Sequence, residues 1–75
     1  MKGERKMRND NRIEPCCKRL AHIWHMVPDW RMSQLMMNAA AIYANRHNGR
    51  NVFYLEDEEF LDFLEEFIKE TIENA

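Results

Sequence analysis

The sequence predicts an all-α fold: a compact three-helix bundle with a short extended aromatic connector before the last helix. Three observations predict it. Apolar residues recur at helical spacing in three segments, the turn signals Pro28-Asp29 and Asn48-Gly49 separate those segments, and the one β-prone run, residues 52–55, is too short for a stable sheet. A length of 75 residues sets one domain, and a chain of that size buries only about 60% of the surface its unfolded form exposes. Self-association is the expected supplement to so small a core.

Residues 1–10 are charged and without period and are expected to form a disordered extension, leaving residues 11–75 as the single helical domain. The first helix is expected from about residue 12 to residue 27. Asn9, Asp10 or Asn11 caps it and Pro15 is tolerated in its first turn. At 100° per residue Ile13, Cys16, Cys17, Leu20, Ile23, Trp24 and Val27 gather into one stripe, and Pro28 ends the helix.

Asp29 then caps a second helix, from about residue 30 to residue 46, with a core stripe of Met32, Leu35, Met36, Ala39, Ile42 and Tyr43. A smaller apolar patch carries Met37, Ala40 and Ala44, and the polar positions are mainly Arg31, Gln34, Asn38 and Asn45. A helix apolar on two sides is either the central one or one that lies in an oligomer interface. Beyond Asn48-Gly49, residues 52–55 are expected to run extended and pin their aromatics onto the bundle. Glu56 and Asp57 open a third helix whose core stripe is Phe60, Leu61, Leu64, Phe67, Ile68 and Ile72, with acids on the opposite face.

The net charge of −2 hides an asymmetry. Residues 1–12 hold five Lys or Arg against two acids, whereas residues 55–75 hold nine acids against Lys69 alone. Such a head-to-tail arrangement favours intramolecular pairing first and partner steering second. No run reaches the roughly 20 apolar residues of a membrane span. Adjacent cysteines on a helix point about 100° apart, which does not suit a disulfide. Cys16 and Cys17 are therefore expected to be reduced, buried structural thiols of a cytoplasmic protein.

Several constellations invite a function. Cys16, Cys17, His22 and His25 suggest zinc, but on the helical wheel the histidines lie about 160–200° from the stripe that the cysteines flank, so one helix cannot aim all four at one ion. The same geometry separates Cys17 from any histidine base. The carboxylates of the third helix sit on an outer face without an apolar pocket to raise a pKa. Neither enzyme nor cofactor is expected.

Arg31, Gln34 and Asn38 are base readers by type, and the first two helices admit a helix-turn-helix reading. The reading preferred for this row is structural, with the side chains bonding neighbouring backbone near residues 53–57. The acidic third helix admits a second nucleic-acid reading, mimicry of a phosphate row. Met26 and Met37 fall off the main stripes, and methionine suits adaptable binding surfaces. With Ala40 and Ala44 beside Met37, two copies of the second helix are able to approach closely.

Arg8-Asn9-Asp10-Asn11-Arg12-Ile13, Ile23-Trp24, Pro28-Asp29-Trp30-Arg31 with Gln34-Leu35 and Asn38, and Phe53-Tyr54-Leu55-Glu56-Asp57 together resemble a group of small bacterial and phage-borne helical proteins with no established activity. The resemblance spans most of the chain, but it departs at Met32-Ser33, where that group often carries an aromatic and a glycine. It implies a helical domain and supplies no catalytic residues. The expected function is thus a non-enzymatic protein-interaction module that is homodimeric, of no specified role. The alternative is a nucleic-acid-linked regulator.

Overall fold

The computed structural model describes residues 9–74, so residues 1–8 of the expected disordered extension lie outside it. Asn9 and Asp10 belong instead to a capped turn. The Asn9 side chain accepts from the Asn11 N–H at 2.9 Å and starts a 3-10 turn, Asp10–Arg12, that leads into α1, Ile13–Trp24. Pro15 is the third residue of α1, where its missing N–H has no intrahelical acceptor to lose.

α1 stops three residues before the expected end. The N–H groups of Met26 and Val27 bond to carbonyls three residues back, those of Ile23 and Trp24, and the helix has unwound before Pro28 is reached. The residue preceding a proline is disfavoured in helical conformation, so loosening upstream of Pro28 follows. The Trp24 indole N–H donates to the carbonyl of Trp30 at 2.8 Å and ties the two ends of this turn together.

α2 spans Met32–Arg46, and its N-cap is Arg31 rather than the expected Asp29. α2 ends in two left-handed residues, Asn48 (φ 58°) and Gly49 (φ 82°), and the Gly49 N–H satisfies the Ala44 carbonyl at 2.7 Å. Asn and Gly are the residue types that tolerate this conformation.

The connector is a single 3-10 turn, Val52–Tyr54, and not the expected extended segment. The Asn51 side chain accepts from the Phe53 N–H at 2.9 Å and bends the chain there. Side chains three apart eclipse in a 3-10 turn. Val52 and Leu55 are accordingly half-buried together, while Phe53 and Tyr54, expected to pin the connector, face solvent at 78% and 80% exposure.

α3 spans Asp57–Glu73 and begins where expected, with the Glu56 N–H donating to Glu59 Oε1 at 3.3 Å. It packs against both α1 and α2, so α3 and not α2 is the central helix. The buried cluster takes Leu61, Leu64, Phe67 and Ile68 from α3, Leu35 and Ala39 from α2, and only Ile23 from α1; Tyr43 of α2 is buried as well. Phe63, outside the expected stripe, widens it: its ring meets Tyr43 edge-on at 5.1 Å and lies parallel to Phe67 at 6.2 Å. Ile13, Met32 and Ile72, expected in the core, are about half exposed at the ends of their helices.

The acidic face of α3 is paired from both sides. Arg12 reaches Asp57 at 2.6 Å, Arg19 reaches Asp62 at 2.7 Å and Glu65 at 3.0 Å, and Arg46 reaches Glu70 at 3.0 Å. Because the α1 contacts advance along α3 in the same order, the two helices run parallel. Hydrogen bonds from Arg19 and then Lys69 hold the Glu65 carboxyl below its ordinary value of 4.5. No helix among the described residues is long and apolar enough to cross a membrane.

Two outcomes are expected. Leu64→Ala removes a fully buried side chain and is expected to cost about 2–5 kcal/mol in urea unfolding followed by circular dichroism, whereas Ile13→Ala costs less than about 1 kcal/mol. A lowered folded-state pKa gives Glu65 a stabilising contribution that is present above its unfolded value and lost as pH falls through the folded one. Thermal melts from about pH 5 downward are expected to show a shallower acid loss of stability in Glu65→Gln than in the parent.

Candidate interaction surface on the second helix

The charged share of the chain is 32%, yet residues 32–45, nearly all of α2, carry no charged side chain. A helix whose outer face meets only water ordinarily presents charge there. On α2 that face presents Ser33, Met37 and Ala41, all exposed, with Ala40 and Ala44 half-buried along one edge. Met37 is 71% exposed, the most of any large apolar residue on α1, α2 or α3. The 3-10 turn carrying Phe53 and Tyr54 packs on this same helix, and the two rings meet edge-on at 5.0 Å. Exposed aromatics of this kind dominate binding energies in interfaces. The sequence reading missed them because it took residues 52–55 as extended, whereas in a 3-10 turn residues three apart, Val52 and Leu55, share the inward side and leave Phe53 and Tyr54 outside.

The other sequence candidates are placed differently. Met26, grouped with Met37 by its position off the core stripe, packs against the buried cluster from the turn after α1. The polar row does not act as one unit. Gln34 Oε1 accepts from the Arg31 N–H at 2.8 Å and closes the start of α2, a backbone bond as expected but within its own helix rather than with residues 53–57. Arg31 and Asn38 are exposed, and the Arg31 side chain lies at the start of its own helix beside Gln34. Seven residues separate α1 from α2, where a helix-turn-helix uses a turn of three or four.

His22 and His25 are exposed on α1 and just after it, and no three His, Cys, Asp or Glu among the described residues converge for a metal ion. Cys17 is exposed and Cys16 half-buried, against the expectation of buried thiols. α1 joins the buried cluster fully at Ile23 only, so its first turns stand further out. At the far end of α2, His47 stacks on Tyr43 at 4.0 Å, and its Nδ1 lies 2.9 Å from the Tyr43 carbonyl, so the proton sits on Nδ1. On α3 the Glu65 carboxyl is driven down by its partners, the opposite of what a general acid requires.

If Gln34 serves the helix start, Gln34→Ala is expected to lower the unfolding free energy by about 1 kcal/mol. Gln34→Glu keeps the acceptor and stays close to the parent, and Asn38→Ala stays within about 0.5 kcal/mol; chemical denaturation of the three variants separates these outcomes. No protein-family model matches the chain, and no curated protein or solved structure matches it.

Proposed function

We propose that this protein is a non-enzymatic interaction module of the cytoplasm that pairs with a second copy of itself through the outer face of α2. The observation that carries the reading is the uncharged stretch of residues 32–45, with Met37 71% exposed at its centre. Small side chains let two helices approach closely. An antiparallel pair with its two-fold axis between Ala40 and Ala41 sets Met37 of each copy opposite Ala44 of the other, a large side chain over a small one. Four turns of helix cover less than the roughly 1,200 Å² of a stable specific interface, so the pairing is weak and concentration-dependent. Phe53 and Tyr54 then remain available to a further protein partner.

The nucleic-acid alternatives have less support. Gln34 is occupied at the start of its own helix, which removes one base reader from α2. Four carboxylates of the acidic segment, Asp57, Asp62, Glu65 and Glu70, already face Arg or Lys partners, which weakens any resemblance of α3 to a phosphate row.

Sedimentation equilibrium is expected to give a reversible monomer–dimer equilibrium at micromolar to sub-millimolar concentration. Met37→Glu, which buries a charge in the pairing, is expected to weaken it at least about tenfold, while Glu66→Gln on the exposed face of α3 leaves it unchanged. A parent that stays monomeric throughout that range, with Met37→Glu indistinguishable from it, rejects the pairing.

A further inference from the structure

Cys16 and Cys17 line one cleft of about 160 Å³ at the junction of the three helices, together with Leu20 of α1, Met36 of α2 and Phe60 and Leu61 of α3. Three sulfur-bearing residues from two helices thus line one largely apolar cleft, and Cys17 is exposed to solvent there. We propose that this cleft is a binding site for a soft monovalent metal ion, copper(I) by its chemistry, held by the Cys16 and Cys17 thiolates with the Met36 thioether as third donor.

The argument begins with why the thiols stay apart. A disulfide needs Cβ atoms about 3.5–4.5 Å from each other, whereas neighbouring residues of a helix place them about 5 Å apart at 1.5 Å rise and 100° of turn. A bridging ion fits what a direct bond does not. Two metal–thiolate bonds on the order of 2.3 Å, with a third donor closing the angle between them, hold the sulfurs roughly 4 Å apart, well beyond the contact a disulfide needs and within reach of side chains that diverge along one helix.

The donor set then selects the ion. Thiolate and thioether sulfur prefer copper(I). Zinc asks for four N, S or O donors, and no third His, Asp or Glu among the described residues joins the cysteines in a ligand group. Asp57, the one oxygen donor in the cleft, is engaged by Arg12 at 2.6 Å. The apolar walls of Leu20, Phe60 and Leu61 disfavour a hydrated hard cation. Binding releases two thiol protons to solvent and leaves the oxidation state of the metal unchanged, so affinity rises with pH. None of this depends on pairing through Met37.

Anaerobic titration of the full chain with copper(I) against a colorimetric chelator tests the site. One ion per chain is expected, in monomer and dimer alike. Cys16→Ser or Cys17→Ser is expected to lose affinity on the order of a hundredfold, and Met36→Leu, which preserves the packing, about tenfold. Circular dichroism of each variant guards against simple unfolding, and an unfolded cysteine variant is replaced by Cys→Ala at the same position. Equal affinity for zinc, half an ion per chain, or affinity unchanged in Cys17→Ser each overturns the proposal.

Discussion

The structure depends on one apolar seam along α3. Leu61, Leu64, Phe67 and Ile68 form its buried row, and Ile23, Leu35 and Ala39 close onto it. Because α1 and α2 each reach this row, losing it separates the bundle into helices that have little else to hold them. Ala39 matters through its small size, since a fully buried alanine lets the backbone of α2 come near. No buried polar or charged residue interrupts the seam, so its strength is the burial of hydrocarbon and the fit of the side chains.

The ion pairs play a different part. Arg12, Arg19 and Arg46 bond to acids of α3 from both flanks, but each pair is partly or largely exposed to water. Pairs of that kind contribute from nothing to about 1 kcal/mol each. Their effect is to choose one arrangement: with Arg12 on Asp57 and Arg19 on Asp62 and Glu65, only a parallel α1 satisfies both. They also neutralise part of the charge that nine acids in residues 55–75 bring to one side of the molecule. Apolar burial supplies cohesion and charge supplies direction.

α2 contributes least to that electrostatic frame. Its charges, Arg31 as cap and Arg46 in the last turn, lie at its ends, and everything between is neutral. A helix face that meets only solvent ordinarily carries charge, and the proposed pairing would cover the uncharged one. The cysteine cleft lies at the other edge of α2, where Met36 turns towards α1 and α3. Two neighbouring methionines, Met36 and Met37, thus lie on two separate surfaces because one residue of helix rotates the side chain by 100°.

Three helices, the two turns and the outward acid face of α3 were legible in residue order alone, since each follows from spacing, a capping group or a Gly. The Gln34 bond to the Arg31 N–H and the Glu59 bond to the Glu56 N–H are local, yet only the second start matched its expected position. At the first, Asp29 was the expected cap, and the turn tied by Trp24 and Trp30 carries the chain on to Arg31 before the helix begins. Periodicity located the apolar stripes of all three helices but not how deeply each is buried, which is why Ile13, Met32 and Cys17 stand in solvent and Phe63 packs inward. The central place of α3, the outward turn of Phe53 and Tyr54, and the single cleft shared by Cys16, Cys17 and Met36 were decided by the tertiary structure. The physical reason is that helical spacing is a property of one segment, whereas burial and convergence depend on what the other segments cover.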